Sequence, residues 1–208
     1  MSTRHVDRSI HRRRLAEAAA AERAREERSA RVKRMVFWAI TLVALAGVVT
    51  TMLVTSRSQT STDVRKAPDF TLTDTSGAVH SLAQHRGENV VLYFNEGAGC
   101  QSCIVQMGEI EKRAAEFSSR GITVLPIVMN TREQILADMN VNGVATPFLL
   151  DDGTVSHAYG TLGKGMHEGL PGHSFVLIDK DGNQRWYGEY PSMWLSPDDL
   201  LTELTKHR

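Results

Sequence analysis

Val90-Val91-Leu92-Tyr93-Phe94-Asn95-Glu96-Gly97-Ala98-Gly99-Cys100-Gln101-Ser102-Cys103 is the stretch on which the reading of this chain turns. Its first half is a continuous apolar run of strand type, which predicts a β-strand covered on both faces. Its second half opens a helix over Cys100 to Ser119, where Ile104, Met107, Ile110, Ala114 and Phe117 recur at three- and four-residue steps and Gly121 supplies the stop. The chain has two cysteines, and both lie here. A C-x-x-C pair at a helix start after a buried strand is a specific redox signal. Free N–H groups and the helix dipole favour a thiolate on Cys100. Cys103, one turn on, is close enough to attack a mixed disulfide and release the partner. A purely structural staple is a weak alternative, because closing a loop of about four residues contributes roughly 2 kcal/mol, against nearly 5 for a long loop.

Outward from this stretch the elements alternate. Asp69–Thr73 and Val79–Leu82 read as short strands around Thr75-Ser76-Gly77. Ile122–Met129 is the next strand, with Pro126 demanding a bulge or the strand's end. Thr131 caps a helix over Arg132–Asn140 with Glu133 in its first turn. Phe148–Leu150 is a short strand, and residues 151–173 read as a Gly-rich loop. Ser174–Asp179, the turn Lys180-Asp181-Gly182-Asn183 and Gln184–Tyr190 make a hairpin. Ser196, Pro197, Asp198 and Asp199 open a last helix to about Lys206. This order predicts an α/β domain over 67–208, a central mixed sheet with helices on its faces.

The N-terminal third is of another kind. Residues 1–34 carry 11 Lys/Arg and 5 Asp/Glu, whereas the remaining 174 residues carry 13 and 19. The uncharged run Met35–Ser56 has 22 residues, long enough to cross a bilayer as helix. Trp38 suits the interface, and the basic excess before the run puts residues 1–34 in the cytoplasm and everything after Arg57 outside it. The run exceeds a signal-peptide core, and Val54-Thr55-Ser56 is a poor cleavage site, so 35–56 is read as a retained signal anchor. Residues 1–34 are then a solvated basic tail, and the polar segment 57–66 a linker.

Pro68-Asp69-Phe70-Thr71-Leu72, Val90 to Phe94, the C-x-x-C and Ser174 to Gly182 together resemble the redoxin branch of the thioredoxin superfamily, which holds the alkyl-hydroperoxide-reductase/thiol-specific-antioxidant (AhpC/TSA) proteins and membrane-tethered thioredoxin-like reductases. Glu96-Gly97-Ala98-Gly99-Cys100 and Gly172-His173-Ser174-Phe175 look like the group with an acidic-Gly-x-x-Cys-x-x-Cys site. The resemblance covers residues 67–207 and implies a thioredoxin-like fold, Cys100 as nucleophile and Cys103 as resolver. The sequence departs from the thioredoxin pattern in having Gly99, not Trp, before the first cysteine. The cis-proline that such proteins place opposite the cysteines has competing candidates: Pro147, Pro171 as the preferred one, and a register that puts His173 in the slot.

Thiol–disulfide exchange with extracytoplasmic protein thiols or disulfides is the leading function, with the Cys100–Cys103 disulfide as the redox group, no other cofactor, and Pro171 or His173 shaping the groove. Glu96, four residues before Cys100, either moves its proton or is a solvated loop acid. A thiol peroxidase, an antioxidant role with peroxide as substrate, comes second, because the Thr-x-x-Cys pattern is absent and position 97 is Gly. Copper handling in the manner of Sco-type chaperones comes third. It would use Cys100, Cys103 and His173, a donor set that suits copper, but those proteins space their cysteines C-x-x-x-C. Met166 and His167 read as loop residues. A binding module without chemistry is the fourth reading, with Trp186, Tyr187, Tyr190 and Trp194 taken as strand and cap residues packing the last helix. No nucleic-acid partner is expected.

Overall fold

The computed structural model describes residues 3–163 and 168–208, so Met166 and His167 lie outside the described residues. The chain divides into two units, one ending at Thr55 and the other running from Ser56 to Arg208. The first is a single helix, α1 (Thr3–Thr55), whose stretch Arg25–Val54 is long and apolar enough to cross a membrane. The hydroxyls of Thr41, Thr50 and Thr51 donate to the carbonyls of Phe37, Ala46 and Gly47 at 2.8–3.0 Å. Bonds of that kind let a hydroxyl sit in hydrocarbon without an unmet partner.

The second unit is a mixed sheet with helices on both faces. In chain order it contains β1 (Gln59–Ser61), β2 (Arg65–Lys66), β3 (Thr71–Asp74), β4 (Val79–Ser81), β5 (Asn89–Phe94), α2 (Gln101–Lys112), α3 (Ala114–Ser119), β6 (Ile122–Val128), α4 (Arg132–Asn142), β7 (Leu149–Leu150), α5 (Thr154–Tyr159), β8 (Ser174–Ile178), β9 (Asn183–Glu189) and α6 (Pro197–His207). The sheet order is β1-β9-β8-β5-β6-β7-β3-β4, with β2 also on β9. β5 lies at the centre, parallel to β6 and antiparallel to β8. Every residue of β5 is buried. The pleat sends alternate side chains to opposite faces. Val91 and Tyr93 join a core with Ile104 and Met107 of α2, Ile135 of α4 and Leu200 of α6. Val90, Leu92 and Phe94 join a second core with Phe70, Leu82, Val155 and Tyr159. The sheet is therefore covered on both sides, as the unbroken apolar run demands.

Several boundaries differ from the sequence expectations for physical reasons. The segment 57–66, expected as a linker, carries β1 and β2, which pair antiparallel with β9. Edge pairing uses main-chain groups and needs no apolar side chains. Pro126 makes no bulge, because β6 stays in register with β5 through the Tyr93–Pro126 pair. The amides of Asn89 and Asn95 donate to the carbonyls of Gly121 and Ile127. By alternation, the N–H that Pro126 lacks faces away from β5, where β7 pairs only Ile127 and Val128. The helix expected to run unbroken to Ser119 divides at Arg113. The Gly-rich stretch 151–173 contains α5, started by the Asp151 carboxylate, which accepts from the Val155 and Ser156 amides at 3.0 and 2.8 Å. Thr131 caps α4 with Gln134 completing a capping box, and Ser196 caps α6.

The β3–β4 turn is organised by one buried carboxylate. Asp74 accepts from the Ser76 amide and hydroxyl, the Ala78 amide and His80 Nε2 at 2.6–3.0 Å. Burial alone would raise its pKa, but the hydrogen bonds from Ser76, His80 and Ala78 outweigh it and hold the group down at about 2, against an ordinary 3.8. A depressed carboxylate adds stability that is present above its unfolded value and lost as pH falls through the folded one. Between about pH 4 and about pH 2 the domain is therefore expected to lose about 2 kcal/mol through Asp74. Urea denaturation of wild type and Asp74→Asn across this range measures it, and equal losses in both chains would refute the assignment.

Candidate redox site

β5 delivers the chain to the carboxyl end of the central strand, and the loop Asn95–Gly99 turns it into α2. That loop is fastened by three side chains from three places. Asn95 Oδ1 accepts from the Gly97 amide at 3.0 Å, Asn130 Oδ1 from the Ala98 amide at 2.9 Å, and Asp138 Oδ2 from the Gly99 amide at 2.8 Å. Asn130 follows β6 and Asp138 lies on α4, so the loop is gripped by the neighbouring strand and helix. Gly97 has φ +70° and Gly99 φ +90°, in the left-handed region that glycine enters without cost.

Cys100 is the N-cap of α2, and its sulfur accepts from the Cys103 amide at 3.3 Å. Cys100 and Cys103 are joined in a disulfide, with Cα atoms 5.3 Å apart. The two sulfurs are not equivalent: Cys100 is half-buried, whereas Cys103 is 0% exposed and packs in the core. When the bond is reduced, the first-turn N–H groups of α2 stabilise charge on Cys100. The side chain of Gln101, between the cysteines, bonds Asn142 of α4, whose own amide donates to the Asp138 carbonyl at 2.8 Å. The same face of α4 thus holds both the loop before the cysteines and the first residue between them.

Behind Cys103 lies a buried aromatic group. Tyr93 of β5 donates its hydroxyl to the Cys103 carbonyl at 3.2 Å, and its oxygen is 3.2 Å from His173 Nδ1. His173 Nδ1 is 3.8 Å from Cys103 Sγ. His173 is 1% exposed and immediately precedes β8, its carbonyl accepting from the Tyr190 amide at 2.8 Å. Phe175 stacks on Tyr93 with ring centroids 4.6 Å apart and meets the edge of His173 at 5.7 Å. Burial pushes His173 down to about 4 from an ordinary 6.5, so the ring is neutral at physiological pH. Burial also raises Tyr93 well above its ordinary value, so it keeps its proton.

Of the residues singled out in the sequence, Cys100, Cys103 and His173 come together. Pro171, two residues before His173, is buried and pairs with Leu162 in an isolated bridge. The described residues contain no cis peptide, and His173 is the groove candidate seen in contact with Cys103. Glu96 is half-buried on the loop after Asn95. Among the described residues no group of three His, Cys, Asp or Glu side chains is arranged to hold a metal ion. Trp186 is fully buried and stacks on His207 of α6, whereas Trp194 is exposed. Tyr93, Asn95, Asn130 and Asp138 were not anticipated. The available signal was position, since Asn95 and Asn130 stand just past the carboxyl ends of adjacent parallel strands, where α/β sheets place their sites.

Solved structures share this architecture. Peroxidoxin BcpB of Mycobacterium tuberculosis aligns with a TM-score of 0.58 at 22% identity over 69% of this chain and 96% of its own. The thioredoxin domain of a thiol-disulfide oxidoreductase from Bacteroides vulgatus aligns with a TM-score of 0.53 at 23% identity over 68% and 94%. The fold is accordingly thioredoxin-like. In sequence, the chain is 33% identical over 123 residues to a Mycobacterium tuberculosis protein named as a peroxiredoxin, a match covering 56% of this chain and 78% of that one. It is 32% identical over 107 residues to the thiol-disulfide oxidoreductase ResA of Geobacillus kaustophilus, covering 41% of this chain and 61% of the relative. Residues 64–187 match the AhpC/TSA family. With that match spanning more than half of its length, the chain belongs to the AhpC/TSA family.

Proposed function

We propose that this chain is a thiol–disulfide oxidoreductase tethered to the outer face of a membrane by α1. The observation that carries the reading is the asymmetry of the two sulfurs. Cys100 can be reached by a partner and sits where a helix N-terminus favours its thiolate, whereas Cys103 is sealed behind it and within reach of it. Cys100 thiolate attacks a partner disulfide, and Cys103 then displaces the partner thiol and restores the Cys100–Cys103 disulfide. The reverse sequence oxidises a partner dithiol. No redox group beyond the disulfide is required. The basic excess before the apolar stretch supports an orientation with α1 entering from the cytoplasm and the redox domain outside.

A thiol peroxidase is the second reading, favoured by the identity to a relative named as a peroxiredoxin. There Cys100 thiolate would attack a peroxide oxygen, become a sulfenic acid with release of hydroxide, and condense with the Cys103 thiol to the disulfide and water. The loop argues for ranking it lower. The amides of Gly97, Ala98 and Gly99 are committed to Asn95, Asn130 and Asp138, and residue 97 brings no hydroxyl. The test uses the reduced full chain in detergent micelles and compares oxidation by hydrogen peroxide with oxidation by a disulfide-bonded peptide, both followed by tryptophan fluorescence. Peroxide is expected to react no faster than with a free thiol, and the peptide disulfide about 100-fold faster than with a free thiol, in keeping with thiolate activation. A fast, Cys100-dependent reaction with peroxide would reverse the ranking.

A further inference from the structure

Cys103 must lose a proton to act as the resolving nucleophile, yet its sulfur is 0% exposed. A buried thiol resists ionisation, because the charged form is desolvated. At that burial a neighbouring group inside the domain is a faster proton acceptor than solvent. The ionisable groups in contact with Cys103 are Cys100, bonded to its sulfur, Tyr93, bonded to its carbonyl, and His173, whose Nδ1 is 3.8 Å from the sulfur. Tyr93 has its proton committed to the Cys103 carbonyl.

We propose that His173 is the proton acceptor for Cys103, taking the thiol proton at Nδ1, 3.8 Å from the sulfur, and passing it to the departing partner thiolate. The inference rests on the exchange reading above and adds to it a catalytic residue in contact with a reacting sulfur. In the mixed disulfide, His173 is neutral with its proton on Nε2, and the Nδ1 lone pair accepts the Cys103 S–H. As Cys103 Sγ bonds to Cys100 Sγ, the bond from Cys100 to the partner sulfur breaks and its electron pair leaves with the partner thiolate. The Cys103 proton moves to Nδ1. The imidazolium then gives that proton up to the departing thiolate, the stronger base, and the net change is one disulfide exchanged for another. Over the two steps together, two electrons pass from the Cys100–Cys103 dithiol to the partner disulfide, and no other reductant or oxidant is involved.

The Tyr93 hydroxyl, 3.2 Å from both the Cys103 carbonyl and Nδ1, is the second polar group beside that nitrogen. Nε2 is buried and has no hydrogen-bond partner among the described residues. A buried nitrogen with no partner is costly in a purely structural histidine. The burial that keeps the ring neutral also ensures that the imidazolium is short-lived.

The test separates the two steps. The reduced full chain in detergent micelles is mixed with an excess of dithiobis(nitrobenzoate), whose first coloured thiolate reports attack by Cys100 and whose second reports expulsion by Cys103. His173→Gln is expected to leave the first release within about twofold and to slow the second by about 100-fold, the usual worth of a positioned acceptor. The slowed step is also expected to rise with hydroxide where wild type is flat. An unchanged second release with an unchanged pH profile would overturn the proposal. Nitrogen-15 NMR of the wild-type histidine ring gives an answer independent of any variant's folding: an unprotonated Nδ1, with the ring proton on Nε2, is expected in the reduced chain, and Nδ1–H there would overturn the proposal. A first release that survives in Cys100→Ser would instead sink the exchange reading itself.

Discussion

Cys100→Ser is expected to lower thiol–disulfide exchange by about 10⁴-fold or more while the domain stays folded. The separation of activity from stability follows from the place of Cys100. It is the N-cap of α2, and its sulfur accepts from the Cys103 amide. Serine is among the best N-cap residues, so the hydroxyl takes over that bond. The disulfide that is lost closes a loop of about four residues and contributes roughly 2 kcal/mol, a fraction of the 5–15 kcal/mol typical of a domain. Cys103→Ser gives the opposite phenotype. Cys100 still attacks, nothing resolves the product, and the mixed disulfide with the partner accumulates. Mass spectrometry under non-reducing conditions distinguishes the outcomes: no adduct with Cys100→Ser, and a stable one-to-one adduct with Cys103→Ser. Adducts on Cys100→Ser but not on Cys103→Ser would exchange the roles of the two sulfurs. Activity surviving both substitutions would leave a binding module without redox chemistry.

What the sequence made legible is the part of the site that is local. The apolar run before the cysteines, the helix phase after them and the capping residues of α4 and α6 each act within a few positions. The pattern therefore displays them directly. The grip on the cysteine loop is not local. Asn95, Asn130 and Asp138 reach three consecutive amides from a loop, a strand end and a helix. Nothing in the spacing of 95, 130 and 138 announces that they converge, because the convergence is set by the parallel register of β5 and β6. Tyr93 was hidden for a different reason: in an apolar strand it counts as one more large side chain, although its hydroxyl ties Cys103 to His173. The segment 57–66 was misleading in the other direction, since its polar composition says nothing about main-chain pairing along the edge of β9. His173 was visible in the sequence as a residue just before a strand, but its geometry at Cys103 needed the fold.

The loop that sets the cysteines makes its own prediction. Gly97→Ala is expected to destabilise the domain by about 3 kcal/mol, and Gly99→Ala by only about 1 kcal/mol, although both glycines have positive φ. The backbone strain is of similar size at the two positions, so the surroundings decide. A Cβ on Gly99 would meet nothing within 4 Å. A Cβ on Gly97 would overlap Asn130 Oδ1 and come within 2.8 Å of Val128 Cγ1. Val128 is in the core and cannot retreat, so Asn130 must move, and its bond to the Ala98 amide is lost with it. An amide left unmatched in a partly buried loop costs about 1–3 kcal/mol on top of the strain. The displaced loop carries Cys100 away from Cys103, so reformation of the disulfide slows as well. Chemical denaturation of the two variants gives the stability difference, and a double-mutant cycle isolates its cause. Asn130→Ala removes the obstructing oxygen, so adding Gly97→Ala to it should cost less, with about 1 kcal/mol of coupling between the sites. Strict additivity, or equal losses for Gly97→Ala and Gly99→Ala, would mean that the Asn130 contact does not hold the loop, and that the position of Cys100 is set by α2 alone.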